Sequence, residues 1–77
     1  MHDTLRQFIT ADIMKDPDYQ LTNDEPLITG GMIQSFDLVM IQLFIQEIFG
    51  VLIPDMDMTV ETANTLDDLV KLITQSS

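Results

Sequence analysis

The chain has 77 residues, with thirteen acidic residues against three basic ones, Arg6, Lys15 and Lys71, and no cysteine. A formal charge of -10 repels phosphate backbones and anionic lipid, which sets nucleic acid aside as a partner, and without cysteine there are neither disulfides nor thiolate zinc sites. So short a chain buries only roughly 60 % of its unfolded surface, so residues 1–77 are expected to form one domain with a thin core held by packing alone.

Met1 to Arg6 lack the basic and then apolar pattern of a secretory signal, and no apolar run approaches the roughly 18 residues of a spanning helix. The expectation is a monomeric cytoplasmic protein with no membrane span. Leu5, Phe8, Ile9 and Ile13 recur at helical spacing until Lys15-Asp16-Pro17 interrupts them, because a residue before proline disfavours the α region. The first helix is therefore predicted from Asp3 to Met14, capped by Asp3 or Thr4.

Residues 16–34 carry two prolines, two glycines and several Asp and Asn residues without sustained periodicity, and read as one long loop. Loops of this length are functional or packed down by their own side chains, here Tyr19, Leu21, Leu27, Ile28 and Ile33. Ser35 is placed to cap a second helix running to Phe49, with Gly50 as its C-terminal stop and Pro54 beyond it. A short helical turn is predicted from Thr59. A last helix follows from Thr65, where Thr65 and Asp68 form a capping-box pair ahead of the stripe Leu66, Leu69, Val70 and Ile73.

The second helix is apolar on two sides. At about 100° per residue, Leu38, Ile41, Ile45, Ile48 and Phe49 share one face, predicted as core, while Phe36, Val39, Met40, Leu43 and Phe44 lie roughly opposite. A helix apolar nearly all round belongs inside a large protein or a membrane. In so small a chain, either the long loop covers the second face or that face is exposed and docks partners, a role to which adaptable methionines are suited.

The stretch Gly30-Gly31-Met32-Ile33-Gln34-Ser35-Phe36-Asp37-Leu38-Val39, the helix after it, the closing Phe49-Gly50-Val51-Leu52-Ile53-Pro54 and the segment Thr59 to Leu66 together resemble the acyl and peptidyl carrier protein family. In that family a glycine-containing loop leads to a serine at the start of helix two, and an apolar residue follows it. The resemblance runs from about Leu5 to Ile73. It implies an all-α fold, a small four-helix bundle with a long loop between helices one and two and a short third helix.

It also implies that Ser35 carries a covalent 4′-phosphopantetheine arm taken from coenzyme A by a phosphopantetheinyl transferase. A cargo-loading ligase or acyltransferase and a downstream synthase or transferase would be the further partners, docking on Phe36, Asp37, Val39, Met40, Leu43 and Glu47. A serine at a helix N-terminus is a favourable place for the phosphate of such an arm, although the same position suits an ordinary cap. Ser35 has no evident base, since the only histidine is His2, so the chain is expected to be a substrate of enzymes and not an enzyme.

Fatty-acid carriers usually read Asp-Ser-Leu where this chain reads Gln34-Ser35-Phe36. Met40 and Ile48 stand where acids are common in them, and Gln42 stands near a position that lines an acyl pocket. These departures point to apolar partner recognition and to small or polar cargo, as in polyketide, nonribosomal peptide or D-alanyl pathways, with fatty-acid synthesis as the runner-up. The competing function is a helical adaptor with no prosthetic group that binds partners through helix two. Asp55, Asp57, Thr59 and Glu61 imitate the opening of a calcium loop, but Val60 replaces the required glycine and Leu66 the bidentate glutamate, so no metal is expected.

Overall fold

A computed structural model describes residues 1–76. Among them there are three α-helices and no strand: α1 (His2–Phe8), which continues as a π-helical turn over Ile9–Ile13, α2 (Asp37–Phe49) and α3 (Leu66–Ser76), with a 3-10 turn at Asp55–Asp57. The radius of gyration is 11.1 Å. A compact chain of this length is expected near about 11.5 Å, so the long loop cannot project from the body.

Helix one spans the predicted residues but differs at both ends. Its N-terminus is closed by the Leu5 N–H donating to the Met1 carbonyl at 3.2 Å, with no side-chain cap. Asp3 is drawn instead to the Arg6 guanidinium, so neither it nor Thr4 caps. At the other end Thr10 is buried, and its hydroxyl donates to the Arg6 carbonyl at 2.8 Å, taking an acceptor from the α ladder. The following turn widens, with the Met14 N–H on the Ile9 carbonyl at 2.8 Å, and Lys15 closes it at φ 60°.

The core gathers Leu5 and Ile9 from the first helix, Leu38, Ile41 and Ile45 from α2, and Leu66, Leu69, Leu72 and Ile73 from α3. Leu21, Leu27 and Ile33 of the long loop are buried with them, and Tyr19 and Ile28 pack against their edge. All five side chains expected to hold the loop down do so. Arg6 Nε donates to the Leu21 carbonyl at 2.7 Å, and its remaining nitrogens reach Asp3 and Asn23. The Tyr19 hydroxyl donates to Glu25, which with partial burial and the nearby Glu25 and Asp16 charges raises the phenol above its ordinary pKa.

Asn64 joins the loop to the head of α3. Its Oδ1 accepts the N–H groups of Ile28 at 2.8 Å and Thr29 at 3.2 Å, its Nδ2 donates to the Thr29 hydroxyl at 2.9 Å, and its carbonyl accepts the Leu27 N–H at 2.6 Å. The loop turns tightly here. A Cβ on Gly30 would lie 2.2 Å from the Pro26 carbonyl oxygen, so only glycine fits.

Helix α2 stops as predicted, with Gly50 at φ 68° and its N–H on the Gln46 carbonyl at 3.1 Å. Gln42 then ties the following segment to the helix, donating to the Ile53 carbonyl at 2.6 Å and to Asp55 Oδ1 at 2.8 Å. The helical turn predicted from Thr59 is instead an isolated turn, in which the Thr62 and Ala63 N–H groups reach the Thr59 carbonyl at 3.2 and 2.9 Å. The Thr59 and Thr62 hydroxyls bond each other and the Asp57 carbonyl, a local satisfaction of polar groups that competes with helix propagation. Helix α3 begins as expected: Thr65 Oγ1 accepts the Asp68 N–H at 3.0 Å, and Asp68 Oδ2 accepts the Asn64 N–H at 3.1 Å.

Candidate functional site

Ser35 lies at the entrance to α2, at the end of the loop whose buried side chains Leu27 and Ile33 fix its path. The helix opens through a tighter turn: the Asp37 N–H reaches the Gln34 carbonyl at 3.0 Å, and the Leu38 N–H reaches the Ser35 carbonyl at 3.2 Å. Asp37 turns its carboxylate back and accepts the Gln34 N–H at 2.9 Å. This is the returning half of a capping box. The expected cap by Ser35 is therefore corrected: α2 begins at Asp37 with no side-chain cap on its first N–H groups, and those of Asp37 and Leu38 are met by the Gln34 and Ser35 carbonyls in place of the Ser35 hydroxyl.

That hydroxyl has no hydrogen-bond partner among the described residues, and the side chain is exposed. The only histidine, His2, is engaged with Asp67 at 2.8 Å, across the joined ends of α1 and α3. Ser35 is thus an accessible primary alcohol at the positive end of a helix dipole, with neither a base bound to it nor a structural bond to break.

Next to it the second face of α2 is bare. Phe36 is 72 % exposed, and Val39, Met40 and Leu43 are also exposed, so the long loop does not cover them. Asp37 stands partly buried at the head of this face and Glu47 exposed towards its end. Two expectations change. Ile48, placed in the core by periodicity, is 55 % exposed, and Phe44, placed on the outer face, is half-buried with its ring stacked on Phe8 at 4.0 Å between centroids and 15° between planes. The core face is centred on Leu38, Ile41 and Ile45, and the first helix reaches round to the Phe44 side.

Asn64, Phe8 and the cap by Asp37 were not picked out from the sequence as parts of the site. The spacing Gln34-x-x-Asp37 carries a signal for the cap, since an acidic residue three positions on is the returning half of a capping box. No one-dimensional pattern pairs Phe8 with Phe44 or Asn64 with Ile28.

Among the described residues no helix is long and apolar enough to cross a membrane, and no group of three or more His, Cys, Asp or Glu side chains is placed to hold a metal ion. No family model, curated protein or solved structure matches the chain.

Proposed function

We propose that the chain is a carrier protein that holds acyl or aminoacyl groups as thioesters on a 4′-phosphopantetheine arm esterified to Ser35. One observation carries this: the Ser35 hydroxyl is exposed and uncommitted, since the Asp37 and Leu38 N–H groups at the start of α2 are taken by the Gln34 and Ser35 carbonyls. A serine kept at a helix start as an ordinary cap would be expected to use its oxygen there. The position suits a phosphodiester, since Ser35 is exposed at the N-terminal, positive end of α2.

In this function a phosphopantetheinyl transferase uses coenzyme A and Mg²⁺. A phosphorus–oxygen bond forms at Ser35 Oγ, the pyrophosphate link of coenzyme A breaks with adenosine 3′,5′-bisphosphate as the leaving group, and the serine proton passes to a base of the transferase. Phe36, Val39, Met40 and Leu43, with Asp37 and Glu47, provide the surface on which the transferase, the loading enzyme and the downstream synthase or transferase dock. Where a four-helix carrier would have its short third helix, this chain has three α-helices with only a 3-10 turn at Asp55–Asp57 between α2 and α3 among the described residues. Gln42 stands near a position that lines the acyl pocket of fatty-acid carriers, and its bonds to Ile53 and Asp55 keep a polar group engaged there, which supports small or polar cargo of the polyketide, nonribosomal peptide or D-alanyl kind.

Incubation with coenzyme A, Mg²⁺ and a broad-specificity transferase, followed by intact mass measurement, tests the assignment. A single phosphopantetheinyl addition, absent from Ser35→Ala, is expected. No addition, or one that survives the substitution, overturns it in favour of an adaptor without prosthetic group, which the bare face of α2 would also serve.

A further inference from the structure

Helix one and α2 leave a groove between them on the flank of α2 away from Ser35. At about 100° per residue Phe44 lies roughly 180° round the helix from Ser35. The groove is two adjoining hollows, about 340 Å³ beside Thr4, Ala11 and Ile48 and about 220 Å³ beside Met40 and Leu43, and both are floored by Phe8 and Phe44. The floor is stiff, because Phe8 stacks on Phe44 at 4.0 Å and Phe44 meets the edge of Phe49 at 6.5 Å and 82°.

The rims are acidic. Asp12 borders the larger hollow and Glu47 the smaller, and no basic residue lines either. Of the three cations in the chain, Arg6 is held by Asp3, Asn23 and the Leu21 carbonyl, and Lys15 and Lys71 lie outside the groove. A second copy of a chain with formal charge -10 would bring like charges together, and an anionic membrane would do the same.

We infer that this groove docks a cationic amphipathic helix of a partner protein, with two apolar side chains one turn apart in the two hollows and lysine or arginine beside Asp12 and Glu47. Helices laid into apolar grooves present anchors at i and i+3 or i+4, about 5–6 Å apart, which suits two hollows that share their floor. The inference does not require the carrier function, although the smaller hollow shares Met40, Leu43 and Glu47 with the surface proposed for the carrier's enzymes. A helix filling both hollows covers Met40, Leu43 and Glu47 and so competes with the enzymes proposed to dock there, while the larger hollow lies clear of them.

The test uses the unmodified full chain and a roughly 14-residue peptide of leucine and lysine patterned as an amphipathic helix. Titration followed by backbone amide NMR is expected to show saturable one-to-one binding, shifts centred on Phe8, Ala11, Phe44 and Ile48, and affinity that falls with salt. Ile48→Gln, and separately the pair Asp12→Asn with Glu47→Gln, should each weaken binding about fivefold or more. All three positions are exposed, and melting curves confirm that the variants fold; if Ile48→Gln does not, the charge pair alone decides.

Equal binding by a scrambled peptide, shifts confined to Phe36 and Val39, or no saturation overturns the proposal. So does self-association of the chain through these residues in sedimentation, or their protection by neutral phosphatidylcholine vesicles. Ser35→Ala should bind the peptide as the parent chain does, which separates failure here from failure of the carrier assignment.

Discussion

Asn64 Oδ1 accepts the Ile28 N–H at 2.8 Å across a sequence separation of 36, so the loop that delivers Ser35 is fastened to the start of α3. The same side chain holds Thr29 through both its oxygen and its nitrogen. Asn64→Ala strands these groups, and a loss of about 1–3 kcal/mol is expected in urea unfolding. Asn64→Asp retains the acceptor and should cost less. A loss below about 0.5 kcal/mol for the alanine variant would show that water replaces the clamp.

Ser35 and Asp37 should separate in stability. Ser35→Ala removes no hydrogen bond and is expected to stay within about 0.5 kcal/mol of the parent. Asp37→Ala removes the cap on Gln34 and should cost about 1 kcal/mol. Thermal melts of the two variants side by side decide the matter, and the reverse order would return the capping role to Ser35.

Along α2 burial sets the cost of truncation. Ile45 is 0 % exposed, and Ile45→Ala should destabilise by about 2–5 kcal/mol. Met40→Glu adds a charge on the open face and should leave the melt nearly unchanged while slowing loading of Ser35 or transfer from it. Unfolding of Met40→Glu would mean that this face is covered in solution.

Lys15 closes helix one at φ 60°, a conformation that costs an ordinary side chain. Lys15→Gly is expected to stabilise by up to about 1 kcal/mol, and the β-branched Lys15→Val to destabilise by about 1 kcal/mol or more. Urea midpoints in the opposite order would place the strain elsewhere.

Much of the fold is legible in one dimension. Helical periodicity and proline located the first helix, Gly50 located the end of α2, and the Thr65 and Asp68 pair located the start of α3, because each depends on contacts within a few residues. The short turn after Pro54 was less legible. Its threonine hydroxyls satisfy neighbouring backbone groups as readily as a helix would, and propensity alone does not settle that competition.

The site divides in the same way. Ser35 opened the question as a plausible cap, and local spacing already contained the alternative in Gln34 and Asp37, three residues apart. Ile48 and Phe44 could not be placed by a helical wheel. Both are apolar on a helix with two apolar sides, and their burial depends on where Phe8 arrives from the first helix.

By itself the sequence determined an all-helical chain, its charge, its helix ends and the apolar character of α2 on both sides. Tertiary structure decided which side of α2 became core, that Ser35 kept its hydroxyl free, and that Phe8 and Phe44 floored a groove. Helix ends follow from hydrogen bonds closed within one or two turns. Faces and grooves follow from which distant segments pack together, and here Asn64 on Ile28 and Phe8 on Phe44 made those choices.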